Sequence, residues 1–158
     1  MIEHCGTVWG FRGCSYLYAI FSADHAYIGE TGNLPAARWG SHLSKADSSF
    51  AEKLKIELEA SSSQPYEKEF VYIGLYCKVI DLEEESKRKF ARLAIEDELH
   101  RQFYLNENSF GSPKKLLSRS SQRSSRLSFG FDVESFAKYA IHTIIGEYKK
   151  YLELAASQ

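Results

Sequence analysis

No stretch of this chain approaches the ~20 consecutive apolar residues that a membrane-spanning helix needs. The N-terminal MIEHCG also lacks the charged-then-apolar layout of a secretory signal. Cysteine is scarce: Cys5, Cys14 and Cys77 are odd in number and scattered. They outline no disulfide framework and fit reduced thiols in a cytoplasmic protein. His4, Cys5 and Cys14 follow no common zinc spacing and lack a fourth ligand. An excess of one charge is missing too, with 20 Lys and Arg against 21 Asp and Glu and a net charge of −1.

Apolar and aromatic residues, by contrast, are plentiful. At 44% apolar and 14% aromatic, 158 residues are enough to bury a core, and one domain spanning 1–158 is the natural expectation. The charges are also segregated. Residues 101–131 carry Arg101, Lys114, Lys115, Arg119, Arg123 and Arg126 against Glu107 alone, a local +5 that leaves −6 for the rest. Such a stripe is either a phosphate footprint or a solvated Ser/Arg loop, and the residues alone do not choose between them.

Chemistry concentrates between Tyr16 and His42, in YLYAIFSADHAYIGETGNLPAARWGSH. Tyr16–Phe21 has the apolar and aromatic content of a buried strand, Ser22–His25 is a short polar connection, and Tyr27–Ile28–Gly29 begins a second strand. Thr31–Gly32–Asn33 makes a turn, Asn33 or Thr31 is placed to cap a helix, and Pro35 sits in its first turn. Arg38 and His42, four apart, share one face of that helix.

These residues resemble the GIY-YIG nuclease family. Tyr16–Leu17–Tyr18 stands where the family has its first tripeptide, and Tyr27–Ile28–Gly29 matches the second letter for letter. Thr31-x-Asn33-Leu34 and Arg38-x-x-x-His42 also fit. Three departures are visible: Tyr16 replaces the usual first glycine, the gap between tripeptides is eight residues, and one extra residue separates Leu34 from Arg38. One residue turns a helix by about 100°, so the helix start must shift for Arg38 to face the tyrosines. The resemblance covers roughly residues 15–108.

The rest of the chain is read from periodicity. Thr7–Val8–Trp9 is a candidate extra strand, and Phe50, Leu54 and Leu58 predict a helix from Phe50 to about Ala60 before the Ser61–Pro65 loop. Phe70–Ile80, apolar on both faces, predicts a central strand. Its second Tyr72–Ile73–Gly74 is set aside, because no Thr-x-Asn-Leu or helical Arg/His pair follows it. Ala91, Ile95, Leu99 and Phe103 stripe a helix from about Leu82 to Phe103, with Glu96 on the margin of the stripe and His100, four after it, either a support for Glu96 or a helix-surface residue. After the basic Ser/Arg-rich loop, 109–131, Asp132 opens a last helix over 132–156. The expected architecture is α+β. Helices flank a small central antiparallel sheet of about three strands, as the resemblance implies, and a C-terminal helix is added.

Phosphodiester hydrolysis needs an activated water, a cation near the non-bridging oxygens and stabilisation of the leaving oxygen. Tyr18, Tyr27, Arg38 and His42 are available for such work. Arg38 has the planar fork that suits a phosphate, and a tyrosine near cations can act as general base. The resemblance implies that Tyr27, Arg38 and Glu96 form the catalytic set. In it Glu96 holds one Mg²⁺ or Mn²⁺ ion, and a family asparagine corresponds to Asn108, with Asn106 as the nearby alternative. Taken singly, each has an ordinary explanation as a core tyrosine, a polar helix face, a helical acid or a turn residue. Their joint order is what points to chemistry. The function expected is a metal-dependent endonuclease acting on DNA, with Lys114, Lys115, Arg119, Arg123 and Arg126 as a DNA clamp. The alternative is an inactive nucleic-acid-binding or interaction module on the same fold. Restriction, repair and mobile-element roles remain open, as does a homodimer.

Overall fold

The computed structural model describes residues 13–22, 24–44, 49–59, 69–119 and 127–157. Thr7–Trp9, Cys5, the Ser61–Pro65 loop, Arg123 and Arg126 lie outside them. The chain forms β1 (Tyr16–Ser22), β2 (His25–Thr31), α1 (Pro35–Leu43), α2 (Phe50–Glu59), β3 (Val71–Tyr76), a short α3 (Lys78–Asp81) and α4 (Glu85–Leu105). A 3-10 turn (Glu107–Phe110), a two-residue β4 (Lys115–Leu116) and α5 (Val133–Ala156) complete it.

The sheet has four strands in the order β3-β1-β2-β4. β1 pairs antiparallel with both β2 and β3, while β4 pairs parallel with β2. The α+β architecture is therefore as expected, but the sheet is mixed rather than antiparallel, and it has one strand more. The addition comes from within the basic loop, where Lys115 N donates to Asp24 O at 2.7 Å and Leu117 N to Ala26 O at 2.8 Å. So short a strand has no hydrophobic run to announce it; only pairing with β2 makes it one.

β1, not β3, is the central strand. All seven of its residues are buried, whereas β3 lies at the edge with Gly74 and Tyr76 exposed. An apolar run reports the capacity for burial, and two-sided pairing decides which run receives it. The end of the predicted Phe70–Ile80 strand instead turns into α3 and buries Ile80 there. Cys77 N donates to Ser15 O at 2.8 Å, which holds that turn against the start of β1. α4 consequently starts at Glu85 rather than Leu82.

Side-chain alternation along β1 separates two layers. Leu17, Ala19 and Phe21 point into the main core against α4 and α5, where Phe21, Phe103, Phe110 and Tyr148 form an aromatic cluster. Tyr18 and Ile20 point the other way, into a smaller core with Phe50 and Leu54 of α2. Asp132 caps α5 as expected, accepting from Ser135 N at 2.7 Å. No helix among the described residues is long and apolar enough to cross a membrane.

Candidate active site

The smaller layer gathers the candidate tyrosines Tyr18 and Tyr27. Register places Tyr18 opposite Gly29 on β2 and Gly74 on β3, and Ile20 opposite Tyr27 and Tyr72. Because side chains alternate, Tyr27 shares a face with Gly29, and the missing side chain of Gly29 leaves room for the Tyr18 ring. A Cβ at residue 29 would lie 2.3 Å from the Tyr18 hydroxyl oxygen. The Tyr18 ring stacks on Tyr27 at 6.3 Å and on Tyr72 at 5.7 Å. The second Tyr-Ile-Gly, which sequence pattern alone sets aside, therefore flanks Tyr18 opposite the first. Tyr72 also stacks on Trp39 of α1 at 5.5 Å, and burial pushes its phenol up to about 12.

The helical pair converges on Tyr18. Arg38 Nε donates to the Tyr18 oxygen at 3.1 Å, and His42 Nε2 lies 2.7 Å from it. α1 starts at Pro35 with Leu34 as its N-cap and no side-chain cap, which gives Arg38 the rotation it needs. Thr31 does not cap that helix; its hydroxyl accepts from Asn33 N and closes the turn before it. His42 Nδ1 accepts the Phe50 N–H at 3.1 Å and so carries no proton. Burial, then the charges of Arg38 and Lys53, hold its pKa down to about 4, so the ring is neutral and its one proton sits on Nε2. Tyr18 thus accepts two hydrogen bonds at an oxygen that is fully buried, the residue being 0% exposed. Burial, with Tyr27 adding to it, raises its pKa.

Tyr27 differs. It is half-buried, and its hydroxyl makes no hydrogen bond to a described residue. Its ring packs on His42 at 4.5 Å, and Lys53 Nζ lies 4.9 Å above it. Sequence reasoning missed Lys53; the only signal was its place in α2 between the buried Phe50 and Leu54. Burial raises the Tyr27 pKa while the charge of Arg38 opposes that rise.

Glu96 reaches this group from α4. It stands beside the buried Ile95 and is itself half-buried. Burial and the charge of Glu30 push its carboxyl up to about 7, against the pull of Arg38 and Lys53. Glu30 itself is paired with Arg92 of α4. Among the described residues no three His, Cys, Asp or Glu side chains gather as a metal cage. One crowded, desolvated carboxylate beside two tyrosines fits a hydrated Mg²⁺ or Mn²⁺ ion, which keeps most of its waters and needs few protein ligands.

The remaining candidates lie apart. Asn108 is exposed in the 3-10 turn, beyond the end of α4, and Glu96 is already roughly 14 Å of helix axis from Leu105. Asn106 donates to Gln102 O at 2.8 Å. Lys114 is buried against Tyr148 with Asp24 at 3.9 Å, Lys115 pairs with Glu57, and Arg119 is exposed. His100 is not on the surface. It is buried, with Nε2 at 3.3 Å from Ile28 O and 3.1 Å from Ser118 Oγ, and Ile28 N donates to that same hydroxyl at 3.0 Å. The Ile-Gly end of the motif strand is thereby tied to the chain just after β4.

A family model described as the GIY-YIG catalytic domain matches residues 14–95, just over half of the chain. No curated protein and no solved structure matches it.

Proposed function

This chain belongs to the GIY-YIG family, whose fold is of the nuclease type, and on that premise we propose that it is a divalent-metal-dependent endonuclease hydrolysing DNA phosphodiester bonds. The observation that carries the reading is the convergence of Arg38 and His42 on Tyr18, with Tyr27 and Glu96 alongside. A structural core has no need to point a guanidinium, a neutral imidazole and a desolvated carboxylate at two tyrosines. Tyr18 is the organiser: its oxygen holds Arg38 by Nε and leaves the other guanidinium N–H groups for a phosphate. His42 passes that order on to α2 through Phe50. Tyr27 is the half-exposed member; once its own phenol proton has passed to solvent, its phenolate is free to take the proton of an attacking water. Its raised resting pKa means that it must be activated by positive charge, and Arg38 and Lys53 provide part of it. A divalent ion at Glu96 would supply Lewis-acid charge for the phosphate and the leaving oxygen.

The test is incubation with supercoiled plasmid and Mg²⁺, followed by sequencing of the cut ends. Glu96→Gln should abolish cutting while DNA binding survives. Cutting by Glu96→Gln at the wild-type rate would put the metal elsewhere, and binding without cutting by the unaltered protein would leave the inactive module. A unique end sequence points to restriction; scattered ends point to structure-specific repair.

A further inference from the structure

Lys53 belongs to two places at once. Its ammonium lies over the Tyr27 ring, and the same side chain lines a cavity of about 590 Å³ formed by α2, β4 with the residues after it, and the end of α4. That volume is the size of a small-molecule site. Two kinds of group line it. Lys53 and Arg119 are cations close enough for the charge of Arg119 to oppose that of Lys53. Arg119 makes no ion pair among the described residues, whereas Lys115 and Glu57 on the same wall neutralise each other. The second kind is apolar: Ile56 and Tyr104 are 61% and 57% exposed. The wall is also fixed in place. Ser118, next to Arg119, is buried and held by Ile28 N and His100, so the arginine springs from a pinned backbone beside the motif strand.

We infer that this cavity is a nucleotide subsite flanking the scissile phosphate. In it Lys53 and Arg119 hold the adjacent backbone phosphate, and an unpaired base lies on Tyr104 and Ile56. Paired cations call for an anion. A flat ring and an aliphatic side chain beside them call for a group with a π-face, and a nucleotide joins the two. The base must be unpaired, because a base within a duplex has its faces covered by its stacked neighbours. The inference rests on the nuclease reading for its placement. It goes further in selecting a substrate class: DNA with a single-stranded flank beside the cleavage point.

The test compares a blunt duplex with the same duplex bearing a short thymidine tail. Binding is measured by fluorescence anisotropy in chelator, and cleavage separately with Mg²⁺. The tail should raise the affinity of the unaltered protein. Tyr104→Ala should lower tailed-duplex affinity by about 5- to 150-fold, the range a stacked base is worth, and leave blunt-duplex affinity unchanged. Tyr104→Phe should keep the ring and restore the tail effect, whereas a merely structural tyrosine would move blunt and tailed affinities together. Arg119→Ala should reduce the salt slope by about 0.7, the value for a single-strand phosphate. Equal affinity for both duplexes, equal weakening of both by Tyr104→Ala, or no binding to either overturns the subsite. A protein that grips the tail through Tyr104 and never cuts keeps the subsite and loses the nuclease reading instead.

Discussion

Gly29 makes room for the tyrosine on which Arg38 and His42 converge. Its missing side chain is room taken up by Tyr18, whose hydroxyl oxygen lies 2.3 Å from where a Cβ would be. Gly29→Ala must therefore displace a buried ring that holds Arg38 and His42. We expect a loss of about 1–3 kcal/mol in urea unfolding, the usual cost of overpacking, together with loss of cleavage. The tyrosines separate by accessibility. Tyr27→Phe keeps the ring but removes the hydroxyl, so single-turnover cleavage should fall by roughly 10²–10⁴ with little change in melting temperature. Tyr18→Phe should cost less in rate and more in stability, since it leaves the His42 and Arg38 donors without their acceptor. If Tyr18→Phe is dead and Tyr27→Phe cuts normally, the two roles are exchanged.

Among elements, α1 and α2 are joined through His42, and this makes the site sensitive to acid. His42 is 2% exposed, gives Nε2 to Tyr18 and receives the first N–H of α2 at Nδ1. Its pKa is held down to about 4 when folded, by burial first, against ~6.5 in an unfolded chain. Above both values neither state binds the proton and the linkage effect is absent. As pH falls below the unfolded value, the unfolded chain takes up a proton that the folded one refuses, and stability is lost until pH reaches about 4. The full loss is about 3 kcal/mol at 1.36 kcal/mol per unit. Urea unfolding at pH 7 and pH 5 should show about half of that decline, and His42→Gln should flatten it; a decline of equal size in that variant would assign the acid sensitivity elsewhere. β1, β2, α1 and α5 are legible as elements because their period and turn chemistry are local. The edge position of β3, the α3 turn and β4 are not, because each depends on a partner far along the chain.

At the scale of the whole molecule, charge is distributed in parts rather than in one field. Of the basic stripe, Lys114 and Lys115 have partners within the fold, while Arg119 faces outward. Replacing Arg123 and Arg126 with Ala should weaken duplex binding mainly at low salt, with the salt slope falling by about 0.9 for each duplex phosphate no longer neutralised. An unchanged slope would leave those two arginines without a role in the clamp. The family, the α+β class and the order of Tyr18, Tyr27, Arg38, His42 and Glu96 are all written in the amino-acid order, because strand alternation, helical spacing and the tripeptides are local patterns. How those residues act on one another was settled by packing. It made the second Tyr-Ile-Gly a flank of Tyr18, buried His100 under the motif strand, and brought Lys53 from α2 over Tyr27. A side chain's period along its own element says which face it occupies, whereas its neighbours across that face are set by strand register and helix docking, to which distant residues contribute equally.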